Sequence, residues 1–103
     1  MRIEWAEPAE WDLDGIYAFI ARDVPIYAEQ FLDRLLKSVS LLEAQPLMGR
    51  YVPEAKHRDD VREIIFQGYR VMYLVKPDYL YVIAVIHGSR NVDNIERKPW
   101  EVD

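Results

Sequence analysis

The sequence contains no cysteine, which excludes disulfide bonds and thiolate metal sites. Histidine is scarce as well, because His57 and His87 are the only two and their separation is not a metal-ligand spacing. No apolar run is long enough to predict a membrane-spanning helix, and the charged residues Arg2 and Glu4 do not fit a secretory signal. We therefore expect a cytoplasmic protein with one domain over residues 1–103, no metal and no cofactor.

The chain also lacks an excess of basic residues, since it carries 13 Lys and Arg against 18 Asp and Glu. The charge is unevenly divided, with four basic against nine acidic residues in 1–49, seven against five in 50–90, and two against four in 91–103. Proteins that bind phosphate backbones usually display a strong cationic footprint. We therefore expect no direct, sequence-specific binding of nucleic acid.

Apolar residues make up 50% of the sequence, which is enough to fill one core. Two sets of them recur at helical spacing. The first set predicts a helix from near Pro8 to near Asp23, and the second predicts a helix from Pro25 to Gln45. The sets are Leu13, Ile16, Tyr17 and Ile20, and then Ala28, Phe31, Leu32, Leu35, Val39 and Leu42. So short a joint predicts an antiparallel helical hairpin.

Strand patterns precede and follow the predicted hairpin. Residues 2–6 form a short strand candidate, and residues 46–60 are too polar and interrupted for a core element, so they predict a loop. Between Val61 and Arg90, three runs rich in β-branched and aromatic residues are separated by Gln67-Gly68 and Pro77-Asp78. The predicted fold is α+β, with an N-terminal strand and an antiparallel helical hairpin packed on a small antiparallel sheet.

Strand alternation predicts which side chains share a face of this sheet. We assume that Val75 pairs with Leu80, and that Phe66 pairs with Tyr69. One face then carries Arg62, Ile64, Phe66, Val71, Tyr73, Val82, Ala84 and Ile86, and the other carries Glu63, Ile65, Arg70, Met72, Leu74, Ile83, Val85 and His87. An odd-length loop at Pro77-Asp78 would instead place His87 on the opposite face of the sheet from Arg70.

Both predicted faces are apolar in the middle, but one helical hairpin covers only one of them. The second face is therefore covered either by the chain's own tail or by a partner. The tail at 91–103 is polar apart from Ile95, Trp100 and Val102, and its pattern fixes no structure.

Several motifs occur in one order along the chain: a helical region from Ala9 to Glu54, Val61-Arg62-Glu63, Tyr69-Arg70-Val71-Met72-Tyr73, and Val85-Ile86-His87-Gly88-Ser89-Arg90. Together they resemble the RelE/ParE superfamily of toxins from type II toxin–antitoxin systems. The resemblance covers nearly the whole chain, from Trp5 to Arg90, and implies a helical hairpin packed against a small antiparallel sheet.

The superfamily holds two activities. RelE-like members cut messenger RNA on the ribosome without a metal, whereas ParE-like members poison DNA gyrase or another type II topoisomerase. The sequence looks more like the ParE branch at Leu42, Pro46 and Gly49-Arg50, and at its His87 to Arg90 motif. It departs from the RelE pattern because its strands are not strongly basic and its tail has neither tyrosine nor histidine.

The resemblance implies a topoisomerase-binding toxin without a catalytic residue, neutralised in a hetero-oligomer by a ParD-like antitoxin. A ribosome-dependent endoribonuclease and a non-toxic member that only binds its antitoxin are the alternatives. A nuclease would use Glu63, Arg70, His87 and Arg90 for proton transfer and phosphate stabilisation. The candidates for target or antitoxin binding are Arg62, Arg70, His87, Arg90, Ile65, Met72 and Ile83.

Arg70 illustrates the choice between structure and function. A charge within an apolar strand must be paired or must reach water. On the assumed pairing Glu63 lies diagonal to Arg70, which predicts a structural ion pair. The functional alternative is that the guanidinium binds a phosphate or a carboxylate of the target.

Overall fold

A computed structural model describes residues 1–102 of the protein. A five-stranded sheet with the order β1-β5-β4-β3-β2 has two helices on one face. In chain order the elements are β1 (Arg2–Trp5), α1 (Glu7–Ala21), α2 (Pro25–Ser40), a 3-10 turn (Leu41–Glu43), β2 (Arg50–Tyr51), β3 (Val61–Phe66), β4 (Tyr69–Val75), β5 (Tyr79–His87) and a second 3-10 turn (Val92–Asn94).

The two helices begin where their prolines predict. Pro8 lies in the first turn of α1, where a missing N–H costs no hydrogen bond, and Pro25 opens α2. The second helix ends at Ser40, and the 3-10 turn continues its buried side through Leu42. The predicted hairpin is confirmed, although its second helix is shorter than the apolar spacing suggested.

The antiparallel meander of β3, β4 and β5 is also confirmed, with Phe66 paired to Tyr69 and Val75 paired to Leu80. Gln67 and Gly68 both have positive φ, as a type I′ hairpin turn requires. Two features differ from the prediction. The strand β1 pairs with β5 in parallel, and β2 lies within the segment that was predicted to be a loop.

A β-bulge in β5 reverses the predicted side-chain alternation. Met72 pairs with Ala84 and Tyr73 pairs with Val82, so Ile83 is an extra residue on its strand. Ile83 and Ala84 consequently pack on the same face. The predicted faces are therefore wrong beyond the bulge, and the residues concerned are Ala84, Val85, Ile86 and His87.

The second sheet face is covered by the tail. Val92 and Trp100 are buried in the cluster that contains Met72 and Ile83, and Ile95 and Val102 pack against it. The ammonium of Lys98 donates hydrogen bonds to the carbonyls of Val92, Asp93 and Ile95, which satisfies backbone acceptors in and after the 3-10 turn at Val92–Asn94. We call this side of the sheet the tail face and the opposite side the helix face.

Candidate functional site

A neutral cluster of two arginines and two glutamates closes one end of the tail face. The carboxylate of Glu63 has no exposed surface and accepts hydrogen bonds from Arg70 Nε at 2.7 Å and Arg50 Nε at 2.8 Å. Arg70 is 7% exposed and also donates to both oxygens of Glu54, at 2.6 and 2.8 Å. The ion pair predicted between Glu63 and Arg70 is confirmed, and it is part of a larger network.

The electrostatics of this cluster favour its charged form. Hydrogen bonds from Arg70 hold the pKa of the Glu54 carboxyl below its usual range, although partial burial opposes the shift. The same contact with Glu54 raises the pKa of Arg70. Bidentate arginine–carboxylate geometry gives strong hydrogen bonds, so Arg70 is held by its own chain.

Arg62 adjoins Glu63 in β3 but lies on the helix face, since it pairs with Tyr73, and its partners are neutral groups. Its guanidinium stacks over the Tyr51 ring at 4.3 Å from the centroid and donates to the carbonyls of Gly49 at 2.8 Å and Leu47 at 3.3 Å. Its Nε is buried without a hydrogen-bond partner among residues 1–102. These neutral partners leave the positive charge of Arg62 uncancelled at the edge of the sheet.

His87 and Arg90 are both exposed at the end of β5. His87 Nδ1 accepts a hydrogen bond from the Ser89 N–H at 3.1 Å and lies 2.7 Å from the Ser89 hydroxyl, while the ring packs edge-on against Tyr69. His87 pairs with Tyr69, which packs against the helix-face cluster, so His87 lies on the helix face and is not brought together with Arg70.

Asp12 of α1 is a polar group that reaches the same strand. Its carboxylate accepts a hydrogen bond from the Val85 N–H at 2.9 Å, beyond the last residue of β5 that pairs with β1. Burial raises the pKa of Asp12, while the Val85 N–H and the charge of Arg90 oppose that shift. Asp12 thus satisfies a strand N–H that β1 does not reach.

The predicted binding residues occupy very different environments. Ile65 is 55% exposed at the end of the tail face, next to Arg70 across the strand pair. Met72 and Ile83 are buried beneath the tail, so neither lies on the surface, as a docking residue would have to. Met72 and Ile83 are buried because the tail folds back over this face of the sheet. The tail therefore occupies the position that the sequence analysis left open for either the tail or a partner.

Sequence reasoning missed three participants at these sites. Neither Arg50 nor Glu54 was identified as a partner of the ion pair, because both lie in the segment 46–60 that was predicted to be a loop, and loop residues carry no periodicity that would place them. Asp12 gave a usable signal, since a carboxylate four residues before Ile16 falls near the buried side of α1. The region described as 1–102 contains no group of three His, Cys, Asp or Glu residues placed to hold a metal ion.

None of the helices in the described part of the chain is long and apolar enough to cross a membrane.

The fold is shared with a toxin–antitoxin system. A chain of the solved structure titled "Chromosomal ParDE TA system from P. aeruginosa" superposes with a TM-score of 0.72 at 20% sequence identity, over 84% of this chain and 95% of that chain. No curated protein matches the sequence closely enough to be reported.

The family comparison assigns the class of protein, which is the toxin of a type II toxin–antitoxin system. Residues 3–92 match the family described as "ParE toxin of type II toxin-antitoxin system, parDE". The chain therefore belongs to the ParE toxin family, and the resemblance identified from its motifs is confirmed.

Proposed function

We propose that this toxin inhibits DNA gyrase, or another type II topoisomerase, by binding to it in the cytoplasm, and that a ParD-like antitoxin neutralises it. Membership of the ParE family supports the proposal. The observation that carries it beyond family membership is the closed cluster around Glu63, which occupies the groups that a nuclease would need.

Metal-free cleavage of RNA requires a base, an acid and a cation near one phosphate. Glu63 is buried between two guanidiniums, and Arg70 donates four hydrogen bonds to Glu54 and Glu63. His87 lies on the other face of the sheet. The four predicted nuclease residues, which include the exposed Arg90, are not assembled around a common point, and this favours a binding toxin over the endoribonuclease alternative.

The accessible candidates are then contacts with a protein partner. Ile65, His87 and Arg90 are exposed, and Arg62 presents its stacked guanidinium at the sheet edge. Exposed arginines give bidentate contacts with carboxylates of a partner. Arg70 would act indirectly, by holding Glu63 and Glu54 in place.

The direct tests are a supercoiling assay with purified gyrase and a decatenation assay with purified topoisomerase IV. We expect inhibition of one of these two reactions together with accumulation of cleaved DNA. Arg90→Ala should weaken inhibition by about tenfold, as expected for the loss of one charged contact. Arg58→Ala is the matched control, because Arg58 is exposed and pairs with Asp60 of its own chain.

His87→Ala separates the binding toxin from the nuclease. A nuclease that uses its imidazole should lose about a hundredfold or more in rate while remaining folded, whereas a binding toxin should lose only the contacts of the ring. Cleavage of messages on added ribosomes, with no effect on either topoisomerase, would reject the proposal. Harmless overexpression of folded protein would instead indicate a member that only binds its antitoxin.

A further inference from the structure

The chain reaches β2, the last strand of the sheet, through residues 46–49, which we call the Leu47 loop. One buried side chain holds both ends of this loop. The Tyr73 hydroxyl donates a hydrogen bond to the Pro46 carbonyl at 2.9 Å and accepts one from the Gly49 N–H at 3.0 Å. Because Tyr73 has no exposed surface, the loop is tied directly to the core of the helix face.

Arg62 and Gly49 fix the same loop from the side of β3. The Arg62 guanidinium donates to the carbonyls of Gly49 at 2.8 Å and of Leu47 at 3.3 Å. Gly49 lies so close to β3 that an added Cβ would be 2.6 Å from the Glu63 carbonyl oxygen. Surface loops are ordinarily the more mobile parts of a protein. The hydrogen bonds with Tyr73 and Arg62, together with this close contact, hold the Leu47 loop in one conformation.

The side chains on this fixed backbone are large, apolar and exposed. Leu47 is 59% exposed and Met48 is 45% exposed, and the two are consecutive in the chain. The exposed Tyr51 ring follows in β2 and carries the Arg62 guanidinium on one of its faces. Methionine, tyrosine and arginine are enriched at protein interfaces, and presentation on a rigid backbone lowers the entropy lost on binding. These four side chains therefore have the composition of a contact surface.

The charges around the loop indicate which surface it fits. Arg50, which follows the loop, is paired with Glu63 in the neutral cluster of the tail face. Glu43, which precedes it, lies beside Trp5 of β1, and β1 is the opposite edge of the sheet. Arg62 forms no ion pair within the described part of the chain and is in contact with the loop. A complementary surface is therefore apolar and bordered by carboxylates.

The form of the loop indicates the kind of partner. A peptide segment that folds on binding fills a groove or adds a strand to a sheet. The Leu47 loop instead presents two consecutive side chains on a fixed bend, which suits insertion into a preformed pocket of a folded protein. Two copies of the chain paired symmetrically through this loop would bring Arg62 close to its own image, and like charges at an interface are unfavourable.

We propose that the Leu47 loop is a contact surface for the topoisomerase. Leu47 and Met48 enter an apolar pocket of that enzyme, and Arg62 lies beside carboxylates at the border of the pocket. Tyr73 is a positioning residue that holds the loop and does not touch the partner. The inference rests on the proposed function, and it adds the site and the chemistry of the surface that the site binds.

The first test compares two double variants in the supercoiling and decatenation assays. Leu47→Ser with Met48→Ser should weaken inhibition at least about tenfold, as expected for the loss of central contacts in an interface. Ile26→Ser with Tyr27→Ser is the matched control, because these residues of α2 are also consecutive and apolar, with exposures of 65% and 48%. The control should change inhibition by less than about threefold.

The second test measures whether Tyr73 acts by positioning the loop. Tyr73→Phe removes the hydroxyl beneath the loop and leaves every proposed contact residue in place. We expect faster hydrogen exchange of the Gly49 N–H and inhibition weakened about threefold or more, because the loop is then ordered only on binding. Unchanged inhibition by the folded variant, with only a lower melting temperature, would show that Tyr73 is merely structural and would overturn its positioning role.

The third test concerns the charge of Arg62. Inhibition by the wild type should weaken as the salt concentration rises. Arg62→Gln keeps a donor for the loop carbonyls but removes the charge, so its inhibition should be weaker at low salt and less sensitive to salt. Arg62→Lys keeps the charge and should retain the salt dependence. Equal salt dependence in the wild type and in Arg62→Gln would overturn the assignment of a pocket bordered by carboxylates.

The outcomes separate this inference from the proposed function. A wild type that inhibits neither enzyme would reject the proposed function itself. A wild type that inhibits one enzyme, with equal inhibition by the folded Leu47 and Met48 double variant, would overturn only the inference. Calorimetry with the polypeptide encoded by the adjacent reading frame completes the test, because the double variant should keep that affinity. Loss of that affinity together with inhibition, in a folded variant, would show that the loop is not specific to the topoisomerase and would also overturn the inference.

Discussion

The two faces of the sheet are closed by different means. The helix face is covered by two amphipathic helices, and its buried cluster is apolar, with Phe31, Leu35 and Leu42 packed against Val71 and Val82. The tail face is covered by a short segment without regular helix, and the buried ion pair of Glu63 and Arg70 lies at one end of it.

The difference shows how few groups the tail face depends on. Many apolar contacts together stabilise the helix face, so the loss of one side chain leaves most of these contacts in place. On the tail face a buried charge persists only because its partner is present. Substitutions at Glu63 and Trp100 should therefore show that the tail face depends on fewer groups for its stability than the helix face does.

The largest effect is expected from Glu63→Ala, which would leave Arg70 buried with only Glu54 to pair with. Breaking a buried pair by removing one partner typically costs about 3–5 kcal/mol of the free energy of unfolding. Chemical denaturation measures this loss. Glu4→Ala is the control, since Glu4 belongs to an exposed pair with Arg2 and should cost at most about 1 kcal/mol.

A double variant tells whether the charge itself is the cause. Replacing Glu63 with leucine and Arg70 with methionine removes both buried charges of the pair, and apolar replacements of such pairs are often neutral or stabilising. Stability close to that of the wild type would support the argument. A double variant as unstable as Glu63→Ala would show that packing, and not the unpaired guanidinium, explains the loss.

The next largest effect compares Trp100→Ala on the tail face with Phe31→Ala on the helix face. Both side chains are nearly fully buried, and truncation of either should cost about 3 kcal/mol or more. We expect the two variants to differ in which parts of the chain lose protection from hydrogen exchange. Hydrogen exchange should increase mainly in the tail and in the strand segments beneath it for Trp100→Ala, because the tail can open locally. Equal protection changes on both faces would contradict this difference.

The same contrast explains what could be predicted from the sequence. Apolar spacing defined both helices, and Gln67-Gly68 defined a hairpin turn, because these signals are local. The bulge at Ile83 has no local signal, since the run from Tyr79 to Ile86 is continuously apolar or aromatic and contains no polar residue that would mark a change of face. The faces of Val85 and His87 were wrong for that reason.

The candidate site was predictable only in part. Glu63 and Arg70 were identified because a charge within an apolar strand requires a partner, and their strand register followed from one turn. Glu54 and Arg50 join them through a loop whose path depends on tertiary contacts. At Gly49 this loop passes close to Tyr73, because the Gly49 N–H donates a hydrogen bond to the Tyr73 hydroxyl at 3.0 Å. A Cβ at position 49 would lie only 2.6 Å from that hydroxyl.

The smallest effects are expected from two carboxylates whose pKa values shift in opposite directions. Glu54, in the cluster at the end of the tail face, has a lowered pKa, so its stabilising contribution is present above the unfolded value of about 4.3 and is lost as the pH falls through its folded pKa. Asp12, which reaches Val85 from α1, has a raised pKa. Its contribution is present below the unfolded value of about 3.9 and is lost as the pH rises through its folded pKa.

Urea denaturation of Glu54→Gln and Asp12→Asn between pH 3 and pH 7 measures both shifts. The stability of Glu54→Gln relative to the wild type should fall as the pH rises, because the wild type gains an ionised partner for Arg70. The relative stability of Asp12→Asn should rise instead, because asparagine keeps an acceptor for the Val85 N–H without a partly buried charge. If the relative stabilities of both variants changed with pH in the same direction, the two carboxylates would not have opposite pKa shifts. A relative stability of Glu54→Gln that does not change with pH would mean that the ionised form of Glu54 adds no stability to the ion cluster.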